Sequence, residues 1–130
     1  MSEPASTDPG ESQRTLSIGA IARDVVILWV LTFAGGFVVG VATVGGHDPV
    51  HRALAIAISN TILSIIGFTI VGSLATQARW KQLFIVAIIL WITSLANLAF
   101  GIPLRSWIVG LPFTLILMAV GGGISYLFRK

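Results

Sequence analysis

The chain has 130 residues, 55% hydrophobic and only 10% charged. Soluble domains carry about 25% charged residues, so the composition excludes an ordinary soluble globular protein. Its net charge of +3 comes from single basic residues scattered between apolar blocks, with no basic stripe, which argues against a nucleic-acid partner. No cysteine is present, so disulfides, thiolate metal sites and thiol nucleophiles are excluded.

Residues 1–14 are polar, with two prolines and three acids, and are expected to form a disordered cytoplasmic tail. They lack the basic character of a secretory n-region, so the apolar block that follows is expected to stay as a membrane helix. Residues 15–130 are then expected to form one transmembrane domain.

Four apolar blocks follow one another: Val25–Val44, Ala53–Ala75, Gln82–Leu104 and Ser106–Phe128. Each supplies about the twenty residues that carry a helix across roughly 30 Å of hydrocarbon. None contains an Asp, Glu, Lys, Arg or His. A membrane barrel would need alternating strands, and the runs are continuously apolar. With their flanking turns the helices are expected at about 18–44, 49–75, 80–101 and 106–128. Short connections place consecutive helices antiparallel. The expected fold is therefore an all-α integral membrane protein, an up-down-up-down bundle of four transmembrane helices.

Basic residues near the helix ends set orientation. Arg14, Arg23, Arg79, Lys81, Arg129 and Lys130 fall on one side, Arg52 and Arg105 on the other. Both termini are expected in the cytoplasm, in a plasma (cell inner) membrane. Trp80 and Trp107 lie beside these charges, where aromatic belts form; Trp29 and Trp91 lie deeper and need helix or lipid contacts. Asp24, next to Arg23, is expected at the start of the first helix, favourable against its dipole. On this reading there is no membrane-embedded acid of the kind that small multidrug exporters carry in their first helix.

In the first helix, Thr32, Gly36 and Gly40 form a small-residue stripe that allows close helix packing. The first connection contains both histidines, His47 and His51, spaced as a metal pair might be. Between them Asp48-Pro49 is a helix-start signature, with Asp48 as N-cap accepting from the N–H of Val50 or His51. The two rings then do not share a helix face, and the stretch is expected to be a turn and cap, with no metal or haem. In the fourth helix, Gly121–Gly123 either accepts a bulky neighbour or marks a flexible end, and it lacks the Lys-Ser/Thr of a phosphate loop.

The second and third blocks each carry a polar stripe. Asn60 and Ser64 are four apart, as are Thr93 and Asn97. About the centre of the connecting turn, Asn60 falls at the depth of Asn97, and Ser64 at that of Thr93. The two stripes are expected to face each other, with Asn60 in hydrogen-bonding reach of Asn97, as interhelical polar glue or as a small cavity.

No nucleophile–base pair or metal cluster is legible, so no catalytic residue and no cofactor are expected. The expected role is non-catalytic: an accessory or assembly subunit of a membrane complex, in contact with the lipid bilayer and with other membrane subunits or copies of itself. The alternative is an oligomeric small transporter or channel with a path lined by Asn, Ser and Thr.

Overall fold

The computed structural model describes residues 16–46, 48–76 and 78–128. The expectation for residues 1–14 lies outside these, as do Arg14, His47, Arg129 and Lys130. The described residues are all-helical: α1 (Ile18–Ala42), α2 (Pro49–Leu74), α3 (Arg79–Thr93), a 3₁₀ segment (Ser94–Phe100) and α4 (Leu104–Ile124). Four helical stretches are long and apolar enough to cross a membrane, the third being α3 continued through Ala99.

Local chemistry sets most of the ends. Ser17 caps α1, its side chain accepting from the Ala20 N–H at 3.4 Å. Asp48 caps α2, accepting from the Val50 N–H at 3.5 Å, and Pro49 follows where a missing N–H costs nothing. Arg52 reaches back from α2 to the Thr43 carbonyl at 3.3 Å, closing the first connection. Gly101, at φ 88°, ends the 3₁₀ segment in the left-handed region.

The third helix differs from the expected run over 80–101. Its α-helical part stops at Thr93, and residues 94–100 tighten to 3₁₀ geometry. Two hydroxyls are turned back onto the backbone at this change. Thr93 donates to the Leu90 carbonyl at 2.9 Å and Ser94 to the Trp91 carbonyl at 2.6 Å.

Small residues decide which helices meet. In α1, Gly35 lies against Leu63 and Ser59; in α2, Gly67 lies against Leu28 and Leu31. Residue numbers rise on one helix as they fall on the other, so α1 and α2 are antiparallel. A Cβ on Gly121 would come within 2.6 Å of Phe68 Cβ, and one on Gly72 within 2.6 Å of Ser125 Oγ, so α2 and α4 approach closely and in the same direction. These two contacts occupy both flanks of α2. Each of α1 and α4 also packs on α3, whereas α2 and α3 touch sparsely and α1 and α4 do not meet. The short turn between α2 and α3 thus joins helices that are diagonal to each other. That departs from the expectation that sequence neighbours pack side by side.

The core is one apolar layer. Leu28, Phe68, Val71, Leu83, Val86, Ala87, Leu117 and Met118 are buried together, with contributions from all four helices. Large apolar side chains such as Phe33, Ile62, Phe84 and Ile116 point outward.

Candidate functional site

Polar groups collect on either side of the apolar layer. Towards the Arg52 end lies a cavity of about 440 Å³. From α1 it is lined by Trp29, Thr32, Gly36 and the largely exposed Phe33 and Phe37. Asn60 and Ser64 contribute from α2, Leu90 and Trp91 from α3, Ser94 and Asn97 from the 3₁₀ segment, and Thr114 from α4. No lining side chain is ionisable.

Three of the four residues of the expected polar ladder therefore reach one space: Asn60, Ser64 and Asn97. Asn60 and Asn97 face the cavity without the direct bond expected of them: the Asn60 Oδ1 atom is buried and has no hydrogen-bond partner among the described residues. The diagonal placement of α2 and α3 is the physical reason. Thr93 goes elsewhere: Trp29 Nε1 on α1 donates to its hydroxyl at 3.0 Å. The passage to 3₁₀ geometry explains this split. At about three residues per turn, positions 93 and 97 no longer share a face.

The other polar groups of the wall are largely spent on the backbone. Thr32 donates to the Leu28 carbonyl at 2.8 Å, and Thr114 to the Gly110 carbonyl at 2.8 Å. Trp91 and Trp107 exchange bonds, each indole N–H donating to the other's carbonyl, at 2.9 and 3.1 Å. Their rings stack with centroids 4.0 Å apart. Trp107, expected in an interfacial belt, is thus half-buried against the cavity wall.

The stripe Thr32, Gly36 and Gly40 is placed differently from the closest helix contacts. Gly36 lines the cavity, where an added Cβ would sit 3.4 Å from Asn60 Oδ1. An added Cβ on Gly40 would meet nothing within 4 Å. Close approach of α1 to α2 falls on Gly35 and Gly67 instead. In the triple glycine, Gly121 and Gly122 accept bulky neighbours, Phe68 on one and Leu83 with Trp80 on the other, whereas Gly123 faces open space.

On the Arg79 side of the layer lies a second polar group that the sequence reading missed. Asp24 is fully buried, seven residues into α1 and beyond the first turn where it was expected. Arg23 donates to its Oδ1 through Nε at 3.0 Å and Nη2 at 2.8 Å. Gln82 on α3 donates to its Oδ2. The first helix therefore carries an acid buried among the helices. One signal was available: Ser17 as N-cap starts α1 early, and then Asp24 shares a face with Ile21 and Leu28. Arg79 is also buried, bonding Ser125 Oγ at 3.2 Å and lying 4.2 Å from the centre of the Tyr126 ring. Trp80 Nε1 donates to the Tyr126 hydroxyl at 3.0 Å.

In the first connection, His51 is exposed with Nδ1 3.7 Å from Asp48 Oδ2, and His47 lies outside the described residues. Among the described residues, no three His, Cys, Asp or Glu side chains come together. Comparison of the chain with protein-family models, with curated proteins and with solved structures gives no match.

Proposed function

We propose that this chain is a multi-pass membrane protein that binds a neutral solute in the cavity between its helices. The observation that carries this reading is a cavity of about 440 Å³ whose mainly apolar wall brings Asn60, Ser64 and Asn97 together. A few convergent polar groups set in a mainly apolar concave wall are what a small-molecule site offers. The absence of any ionisable group in the wall favours an uncharged occupant.

The surrounding architecture supports an up-down-up-down bundle of four transmembrane helices. Its outward side chains are apolar on every helix, as lipid contact requires. The basic asymmetry of the sequence puts both termini in the cytoplasm of a cell that holds the protein in its plasma membrane. The cavity then faces outward, and the apolar layer separates it from the cytoplasmic Asp24–Gln82 pair. This arrangement fits the solute-path reading better than that of an accessory subunit, which needs no cavity. The reading assigns no bond-making chemistry and no cofactor to the chain; its partners are the bilayer and further membrane subunits or copies of itself.

Accessibility tests this. The chain has no cysteine, so Asn97→Cys supplies a single thiol. A membrane-impermeant maleimide added to intact cells should label it. Failure to label from outside, with labelling in inverted vesicles, overturns the outward-facing cavity.

A further inference from the structure

The cavity is open at one side, and what it opens onto narrows its occupant, on the basis that the cavity is an outward-facing solute site. Trp29 on α1 bonds Thr93 at the end of α3. Beyond that bond, towards the outer end, the third span passes into the 3₁₀ segment, which packs on α3 and α4 and reaches neither α1 nor α2. A gap is left between α1 and the segment. Phe33 and Phe37 form its α1 edge, 68% and 64% exposed. Ser94 and Asn97, three apart and so on one face of the 3₁₀ turn, form the other, and Asn97 is itself exposed.

Depth decides what lies outside the gap. α2 runs as continuous helix from Arg52 to Asn60, about 12 Å at the α-helical rise. With Arg52 at the outer boundary of a hydrocarbon core roughly 30 Å thick, the polar level of the wall lies in the outer half of that core. The gap at this level faces acyl chains, where an exposed amide such as that of Asn97 is costly. Asn60 Oδ1 is closed off, buried beside Gly36 of α1. The hydroxyl protons of Thr32, Ser94 and Thr114 are directed at backbone carbonyls. The groups left to meet a ligand are the Ser64 hydroxyl and the Asn97 carboxamide, each both donor and acceptor.

We propose that the cavity takes the head of a neutral long-chain lipid from the outer leaflet, a hydroxyl or carbonyl on a hydrocarbon chain. The head meets Ser64 and Asn97, and the chain leaves past Phe33 and Phe37 into the bilayer. A charged headgroup is excluded, because its charge would sit within the hydrocarbon against a wall with no ionisable side chain. A solute taken from water needs no opening towards the acyl chains.

Photolabelling tests the proposal. The full-length protein in phosphatidylcholine vesicles is irradiated with a trace of octadecanol that carries a diazirine near its hydroxyl, and labelled peptides are mapped by mass spectrometry. Labelling around Phe33, Phe37 and Asn97 should saturate, and excess plain octadecanol should displace it. Labelling at the outward-facing Phe84 and Ile116 should do neither, because there the probe is bulk lipid. Octadecyl sulfate, charged and of the same chain length, should displace roughly tenfold less well. In Asn97→Leu, where the side chain is exposed and the fold is kept, the displaceable labelling should fall about fivefold while that at Phe84 and Ile116 is unchanged. Gly36→Leu, which puts a side chain into the cavity, should lower it as well. Wall labelling no more displaceable than that at Phe84 and Ile116 means bulk lipid only and overturns the proposal. So does octadecyl sulfate that displaces as well as octadecanol, or displaceable labelling of parent strength in both variants. In each of these cases the maleimide result for Asn97→Cys decides the cavity reading separately: labelled from outside, that reading stands; unlabelled, it falls too. The comparison within the parent decides even if neither variant folds.

Discussion

Gln82 on α3 donates a hydrogen bond to the buried carboxylate of Asp24 on α1. The bond joins two helices far apart in sequence and sits beneath the apolar layer, on the side away from the cavity. With Arg23 on the other oxygen, it leaves both oxygens of a fully buried acid occupied.

Gln82→Leu removes one partner and keeps the buried acid. The variant should lose roughly 1–3 kcal/mol of stability, the cost of leaving a buried acceptor unmet. The double variant Asp24→Leu/Gln82→Leu should recover a large part of that loss, because both polar groups are gone together. Denaturant titration in mixed micelles measures both. A double variant as unstable as the sum of the two single changes contradicts the pairing.

Glycines of α1 and α4 should not tolerate substitution equally. Gly121→Ala would push a Cβ to 2.6 Å from Phe68 Cβ and 2.7 Å from the Ile65 carbonyl, both on α2. It should cost on the order of 1–3 kcal/mol. Gly40→Ala meets open space and should be neutral or stabilising by up to about 1 kcal/mol, through helix propensity. Melting curves of the two variants in detergent should fall on opposite sides of the parent, or Gly40→Ala should coincide with it. Equal losses contradict the placement of the close contact between α2 and α4.

The reciprocal bonds between Trp91 and Trp107 predict a spectroscopic signature. Stacked indoles at 4.0 Å couple, and Trp107→Phe should remove the coupled near-ultraviolet circular dichroism bands. It should also cost about 0.5–1.5 kcal/mol for the lost N–H donor. A near-ultraviolet spectrum unchanged apart from the loss of one indole contradicts the stack.

The sequence shows some parts of this molecule and hides others for definite reasons. Four long apolar runs are visible because each must cover its own backbone with apolar side chains. The cap at Asp48-Pro49 is visible because capping is local. Matching depth brought Asn60, Ser64 and Asn97 to one cavity, since depth depends only on distance from the turn. Lateral placement was not legible: it depends on Gly35, Gly67, Gly72 and Gly121, which let α1 and α4 take both flanks of α2 and leave α3 diagonal to it. Thr93 left the ladder because the backbone passes from α to 3₁₀ geometry after it, a change that a run of apolar residues does not announce. Asp24 was hidden by its neighbour, since an adjacent Arg and Asp read as a membrane boundary.

The central claim is that a solute-accessible cavity ends at an apolar layer. A pair of single thiols tests it most directly. Ser64→Cys lies in the cavity wall, and Ala87→Cys lies within the buried layer on α3. A small, membrane-impermeant thiol reagent should modify Ser64→Cys from the outer face of intact cells, and should leave Ala87→Cys unmodified both there and in inverted vesicles. Modification of Ala87→Cys from either side, or protection of Ser64→Cys from the outer face, would contradict it.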